Sequence, residues 1–584
     1  MPAQPRSAAP APPDGAAELR QVRDESRRLF GAVFVFSIFV NLLMLTGPIF
    51  MLQIYDRVLS SRSEETLIAL LLLVAFLYVM MGLLDYARGR ITARAGARFQ
   101  DALDRRVFDA ALARLTVRPS DRLAQGAQGD LESIQRLLTS PTFLAVFDIP
   151  WTPIFIIAIF LFHPWLGVLA VVGAMILIAI TFLNQRATNR PMAQANATAR
   201  NADRLGEQIK SESEIVQALG MRGAGFDRWQ QARGTALSQT VALSDRSGVF
   251  TTLSRTFRLF LQSAILAAGA WLVLQAELTP GAMIAASILL GRALAPMDAA
   301  IGQWAVVQRA QEGWGKLVEL LSSVPPARER TALPRPRAQL EAQQVTVIPP
   351  GQHHAAIRMV SFVLEPGSAL GVIGPSGAGK STLARALTGV WRPAGGRVRL
   401  DGATLDQYDP DVLGSYLGYL PQRITLFDGT IAQNIARLRE DRDDAKIVTA
   451  ARKAGAHDMI VTLPDGYDTI VSPQGGRLSG GQIQRIGLAR ALYDDPVIVV
   501  LDEPNSNLDN EGSNALNATI RQLKSEGKSI LIMAHRPAAI QECDKLLVLE
   551  HGTRTAFGPR DEVLRGMVRN HTDILRDAGP GGVQ

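Results

Sequence analysis

Cysteine is almost missing from this chain. Cys543 is the one example in 584 residues, which excludes an internal disulfide framework. It lies in an apolar, strand-like stretch and reads as a packed thiol. No cleavable signal peptide is expected at the N-terminus. Met1 to Gly15 is rich in Ala and Pro and reads as disordered. Ala16 to Phe30 reads as a charged helical lead-in, and the first long apolar run as an uncleaved membrane anchor. Charge is thin: 20% of residues are charged against 47% hydrophobic, too apolar for an ordinary soluble protein. The formal net charge of +7 would suit nucleic acid. Here the arginines flank long apolar segments, so cytoplasmic flanks of membrane spans explain them and no nucleic-acid partner is expected.

Six apolar segments approach the ~20-residue spanning length. They are Leu29–Leu52, Thr66–Tyr86, Pro141–Phe162, Pro164–Leu183, Phe257–Leu274 and Gly281–Met297. The connections at Tyr55–Glu65, His163 and Ala276–Pro280 are short. Those at Ala87–Ser140 and Asn184–Thr256 are long and rich in arginine, which places them in the cytoplasm. They contain few helix breakers and carry on the apolar spacing, so they read as helical extensions of the spans rather than soluble insertions. Asn41, Asp85, Asp148, Arg292 and Asp298 lie in or near the spans. Charge at membrane depth is costly and marks either a pathway or a paired anchor. Asp85 reads as paired, being close to Arg88 and Arg90. Asp148 precedes two prolines, Pro150 and Pro153, which should bend the helix. For Asp148 both readings stand.

The second half is organised around Gly374-Pro375-Ser376-Gly377-Ala378-Gly379-Lys380-Ser381-Thr382. An apolar strand-like run precedes it and a helix-like run follows, the context of a P-loop. Glycines let backbone N–H groups curl around phosphate, and the helix N-terminus adds positive charge there. Lys380 supplies a full charge for the outer phosphates, and Ser381 is suited to Mg²⁺. Downstream, Val497 to Leu501 is a buried strand ending in Asp502 and Glu503. Asp502 there reaches Mg²⁺ through water, and Glu503 orients or deprotonates an attacking water. Leu478-Ser479-Gly480-Gly481-Gln482 opens a helix carrying Arg485 and Arg490, a second phosphate-reading surface. Gln422 follows one strand and His535 ends another. A lone histidine at a strand end is ordinarily structural; four accompanying elements in order favour function.

These elements resemble, in order, those of an ATP-binding cassette exporter. The resemblance makes Gly374–Thr382 the Walker A loop and Gln422 the Q-loop glutamine, a magnesium and coupling residue. It makes Leu478–Gln482 the signature motif, Asp502 the Walker B aspartate and Glu503 the catalytic glutamate. Asp509 falls in the D-loop and His535 becomes the switch histidine. Gly47 to Val58 and Phe147 to Pro153 resemble the membrane half of type I secretion transporters. Glu503-Pro504-Asn505-Ser506-Asn507-Leu508-Asp509 resembles the protease and lipase exporters among them.

The resemblance implies a fold and a function. The fold is an α-helical membrane domain of six transmembrane helices with long cytoplasmic extensions, fused to an α/β P-loop nucleotide-binding domain. Residues 1–28 form the lead, 29–321 the membrane domain, 322–339 a Pro-rich linker, 340–576 the cassette and 577–584 a tail. The function is ATP-driven export of an unfolded secreted protein across a bacterial inner membrane, with Mg²⁺ as cofactor. The implied partners are a second copy, a periplasmic membrane-fusion adaptor, an outer-membrane channel and membrane lipid. An exporter of lipids or small amphiphiles is the first rival, and a non-hydrolysing, nucleotide-gated scaffold the second. Two departures stand out. Where exporters place an aromatic residue to stack on adenine, this chain reads Val347-Ile348-Pro349-Pro350. The stretch before the signature, Val471-Ser472-Pro473-Gln474-Gly475-Gly476, lacks the usual glutamate.

Overall fold

The computed structural model describes residues 14–326, 330–472, 478–534 and 537–566. His535, Pro473 to Gly476, the first 13 residues and the expected tail at 577–584 lie outside the described residues. One unit runs to Pro326, apart from Thr116–Arg118, which group with the second unit that begins at Ala327.

The first unit is helical. Helix α1 (Gly15–Glu25) is capped by Asp14, whose carboxylate accepts from the N–H groups of Ala16 and Ala17. The lead-in is therefore packed helix from Gly15 onward. Leu19 is fully buried, and Glu18 pairs with Arg106 at 2.8 Å. The first span is broken into α2 (Arg27–Leu43) and α3 (Thr46–Gln53), followed by a π-turn at Ile54–Val58. Pro48, with no N–H to donate, sits in the first turn of α3, where that donor is dispensable. Helix α4 (Glu64–Val117) is 54 residues long, about 80 Å at 1.5 Å per residue. A hydrocarbon core is ~30 Å thick, so much of α4 projects beyond it. Next come α5 (Arg122–Leu138) and α6 (Pro141–Asp148). A 3₁₀ turn at Ile149–Trp151 leads into α7 (Thr152–Phe162), the bend that Pro150 and Pro153 impose. Helix α8 (Pro164–Ser211), the short α9 (Ser213–Ala218), α10 (Arg222–Leu274), α11 (Pro280–Gly302) and α12 (Trp304–Ser323) complete the unit.

Six of these helical segments are long and apolar enough to cross a membrane. The most apolar window of α4 has none of its residues buried, as expected of a face that meets lipid or another chain. Helices α8 and α10 run along each other closely. At Gly173 an added Cβ would lie 2.1 Å from Cδ2 of Leu261, so the approach requires glycine.

Charge pairs link helices of this unit. Arg88, almost fully buried, donates to Asp148 at 2.8 Å, to Asp85 at 2.6 Å and to Ser37 Oγ at 3.2 Å. Asn41 adds a bond to the same Asp148 oxygen at 2.7 Å. One guanidinium therefore ties α2, α4 and α6 together. Arg258 of α10 pairs with Asp298 of α11 at 2.6 Å. Of the polar residues singled out in the sequence, Asp85 and Arg292 are exposed, Asn41 is buried, and Asp148 and Asp298 are half-buried. This favours anchoring over a pathway role for Asp148.

The second unit is α/β. Strands β1 (Leu340–Val347) and β2 (Ile357–Leu364) form a hairpin, followed by β3 (Ala369–Ile373) and α13 (Lys380–Leu387). Then come β4 (Gly395–Leu400), β5 (Ala403–Thr404), β6 (Leu417–Leu420) and β7 (Gly429–Thr430). Helix α14 (Asp444–Lys453), β8 (Ile470–Val471), α15 (Gly480–Leu492), β9 (Ile498–Asp502) and α16 (Asn510–Ser525) follow. The unit closes with β10 (Ser529–Met533), β11 (Lys545–Glu550) and β12 (Thr553–Pro559). One sheet is antiparallel, ordered β2-β1-β4-β5. The main sheet is ordered β12-β11-β3-β10-β9-β6, parallel throughout except for β12 at its edge. Parallel strands covered on both faces read as continuous apolar runs, and β9 and β10 are buried along their whole length. Alternate residues serve opposite cores. Val499 and Leu501 join Ile486 and Leu516 in one, while Ile498 and Val500 join Leu383 and Leu387 in the other. Cys543 is buried, and burial pushes its thiol pKa up to about 12, so it is unreactive.

The Arg88 cluster yields a test. Asp148→Ala leaves Arg88 with the exposed Asp85 as its one carboxylate beside the neutral Ser37 hydroxyl, and breaking such a buried pair costs ~3–5 kcal/mol. The apparent Tm in detergent should fall clearly, and less for Asp148→Asn, which still accepts from Asn41. An unchanged Tm for Asp148→Ala would contradict the anchor.

Candidate nucleotide site

Register brings the motifs to one edge. Met533 of β10 is level with Val372 of β3 and with Asp502 of β9, and Leu420 of β6 is level with Leu501. The parallel strands thus end together. The P-loop leaves β3 there, Asp502 and Glu503 end β9, and Gln422 follows β6. In open α/β sheets this carboxyl edge is where ligands bind.

The loop after β3 is wound by glycines at positive φ: 157° at Gly374, 80° at Gly377 and 97° at Gly379. Two also allow close backbone approach. A Cβ at Gly374 would lie 2.1 Å from Leu549 O, and one at Gly379 would lie 2.7 Å from Ala356 O. Lys380 opens α13 and is buried. Its Nζ donates to Gly374 O at 2.8 Å and Pro375 O at 2.9 Å, so the loop is curled about an ammonium group. Burial lowers the Lys380 pKa, and the carboxylates of Glu503 and Asp502 oppose that shift. No side chain caps α13 at Gly379, and a helix N-terminus of this kind suits an anion.

Asp502 is 3% exposed and lies beside Ser381 of α13, whose hydroxyl favours its charged form. Burial raises its pKa, and Glu503 adds to the rise. Its Oδ1 has no hydrogen-bond partner among the described residues. An orphaned buried carboxylate oxygen beside a serine hydroxyl is a fitting donor set for a hard dication such as Mg²⁺. Glu503 sits at φ 54°, rare for a residue with a Cβ. Its N–H donates to Met533 O at 3.0 Å, and its carboxylate accepts from Gln422 Nε2 at 3.1 Å. A basic oxygen is therefore held at the strand edge, beside the phosphate loop.

The signature residues lie elsewhere. Ser479 caps α15 in a reciprocal box: its Oγ accepts from Gln482 N at 3.3 Å, and Gln482 Oε1 accepts from Ser479 N at 2.8 Å. The neighbours of Gly480 and Gly481 are Asn507 and Leu508, not the P-loop. Asp509 caps α16, accepting from Gly512 N at 2.7 Å. The structure therefore joins Lys380 with Asp502 and Glu503, and Gln422 with Glu503, and sets Gly480 and Gly481 against Asn507 and Leu508, next to Asp509. Two polar residues escaped the motif reading. The Arg385 guanidinium lies 4.7 Å from the centre of the Trp391 ring. Gln484 is buried in α15, where the only sequence signal is a polar residue on the apolar stripe of Gly487, Leu488 and Ala491.

The base platform also differs from expectation. Pro349 is buried and offers no surface, while Ile348 beside it is 41% exposed. An aliphatic edge has no π-face. Stacking is worth ~1–3 kcal/mol per base, so without it ATP and GTP should compete within about tenfold. Competition binding measures this. A preference for ATP beyond about a hundredfold would mean that another group, such as His353 or His354 on the same connection, supplies the platform.

Comparison with known proteins agrees with both halves. Residues 357–506 match the family model described as ABC transporter, and residues 30–296 match the ABC transporter transmembrane region. The chain is 42% identical over 557 residues to the type I secretion system ATP-binding protein PrsD of Rhizobium meliloti (strain 1021), covering 95% of each. It is 31% identical to the cyclolysin secretion/processing ATP-binding protein CyaB of Bordetella pertussis (strain Tohama I), over 92% of this chain and 76% of that one. The structure of a bacterial Atm1-family ABC exporter with ATP bound superposes with a TM-score of 0.78 at 23% identity, over 96% of this chain and 99% of that one. That likeness concerns the fold. An ATP-binding cassette fused to six membrane helices couples ATP hydrolysis to transport across a membrane. With nearly the whole length shared at such identity, this chain belongs to the ATP-binding cassette transporters, among the type I secretion ATP-binding proteins.

Proposed function

We propose that the chain is the inner-membrane motor of a type I secretion system in a Gram-negative bacterium, exporting an unfolded secreted protein. The observation that carries this reading is the 42% identity to PrsD over 95% of both chains, which spans membrane half and cassette alike. The lipid-exporter rival has no comparable support, since the Atm1-family likeness is one of fold at 23% identity. The arginine-rich extensions of α4, α8 and α10 and the cassette lie in the cytoplasm on this reading. A periplasmic membrane-fusion adaptor and an outer-membrane channel continue the route.

The motor is a homodimer. The neighbours of Gly480 and Gly481 are Asn507 and Leu508, which supports a reading in which each phosphate-reading surface is completed by a second copy. Lys380 and the N–H groups of Gly374 to Thr382 bind the phosphates of ATP. Ser381, Asp502 and Gln422 would hold Mg²⁺, which when bound neutralises charge on the outer phosphates. Glu503 orients a water and accepts its proton, its carboxylate steadied by Gln422. His535 is assigned the role of switch histidine. Ser479, Gly480, Gly481 and Gln482 read the nucleotide of the partner copy, with Asp509 beside them.

A deletion strain tests the reading. Without this chain the cognate secreted protein should remain inside the cell, with no free periplasmic pool. The native chain should restore secretion. Glu503→Gln should bind ATP but restore nothing, and Lys380→Ala should lose binding itself. Normal secretion in the deletion strain would reject protein export and promote the lipid-exporter reading.

A further inference from the structure

The turn that carries Glu503 is held from behind. Gln484, 3% exposed, stands one turn into α15. Its Nε2 donates to Pro504 O, and its Oε1 accepts from Asn507 N at 3.2 Å. Both ends of one amide are thus used, one on each side of the turn that follows β9. The donor–acceptor pattern fixes the amide orientation, because a carbonyl needs a donor and an N–H needs an acceptor.

The turn needs such support. Glu503 occupies the left-handed region at φ 54°, which a residue with a Cβ keeps only where its surroundings hold it. Glu503 N is fixed to Met533 O at 3.0 Å, and Ser506 N closes the turn on Glu503 O at 3.2 Å. Beyond these backbone bonds, Gln484 is the side chain that grips the turn on both sides. The first turn of α15 packs on the same segment: a Cβ on Gly481 would lie 3.1 Å from Asn507 O. Arg485 stands 3.8 Å from Asp509.

We infer that Gln484 is a positioning residue for Glu503, coupling the helix that opens with Ser479 to the turn that aims the carboxylate. The inference rests on the proposed role of Glu503. It has a mechanical consequence. The N-terminus of α15 cannot shift without carrying Pro504 and Asn507, so whatever Ser479 to Gln482 engage alters the aim of Glu503 in the same chain. A buried amide with both ends used is costly to disturb, because each lost bond strands a backbone group.

The test uses the full-length chain and three variants. Gln484→Met keeps the length and removes both hydrogen bonds. Gln484→Glu keeps an acceptor for Asn507 N but cannot donate to Pro504 O while ionised. Glu503→Gln is the reference. Steady-state ATPase gives kcat and KM, equilibrium binding gives the ATP affinity, and thermal unfolding reports the folded fraction. A displaced catalytic group costs up to about a hundredfold, so Gln484→Met should lower kcat about 10- to 100-fold per folded molecule. ATP affinity and KM should hardly move. Combined with Glu503→Gln, Gln484→Met should cause no further loss. The rate of Gln484→Glu relative to the native chain should rise as pH falls, since a protonated carboxyl donates again. A purely structural role would lower the folded fraction and leave kcat per folded molecule and this pH ratio unchanged, which would overturn the inference. Equal loss of kcat and ATP affinity would overturn it too. If Gln484→Met does not fold, the pH ratio of Gln484→Glu decides. Turnover surviving in Glu503→Gln would instead reject the proposed role of Glu503.

Discussion

The parallel pairing of β3, β10 and β9 is the constraint on which the nucleotide chemistry depends. Phosphate recognition needs backbone donors, a cation and carboxylates within one small volume, yet Lys380 and Glu503 are more than a hundred residues apart in sequence. Register solves this. Val372, Met533 and Asp502 lie level across three strands, so the residues after them emerge at one edge. The arrangement concentrates charge in a buried place, and the protonation tendencies of Lys380 and Asp502 show it. Burial disfavours the charged form of each, while Lys380 and Asp502 each oppose that shift in the other. A site poised in this way favours a ligand that brings both anionic phosphate and a dication.

The membrane half obeys the complementary rule that charge at depth must be matched. Arg88, Asp148, Asp85 and Asn41 form one network across α2, α4 and α6, and Arg258 meets Asp298 across α10 and α11. The prolines near Asp148 bend the chain at a 3₁₀ turn, and the carboxylate at that bend is the one that Arg88 and Asn41 hold. Bend and anchor coincide there. Asp56 plays a similar part at the other end of the first span. It accepts from Thr279 Oγ1 at 2.7 Å and from Gly281 N at 2.9 Å, so it caps α11.

Local patterns were legible in the sequence and tertiary choices were not. The six spans follow from apolar length; four lie within single helices of the structure, while the first is broken between α2 and α3 and the third between α6 and α7. The long arginine-rich connections were read as helical extensions, and α4, α8 and α10 are continuous helices of that kind. The P-loop was legible because its glycines, strand and helix are adjacent in the chain. The break of the first span near Met44 was not, since the run stays apolar through it. Nor was the burial of Pro349, which depends on how the β1–β2 connection packs. Gln484 reads in sequence as one more polar residue of a helix. Its meaning comes from Pro504 and Asn507, 20 and 23 positions away.

The central claim is that each nucleotide is enclosed by two copies of the chain. Cysteine cross-linking tests it directly, because the native Cys543 is buried and unreactive. Ser376→Cys in the P-loop and Ser479→Cys in the signature are introduced together, with Glu503→Gln to hold the closed state. Oxidation in the presence of ATP should give a covalent species of twice the 63.2 kDa chain mass, and little without ATP. Bound ATP with no such species, and monomers alone after oxidation, would contradict the account.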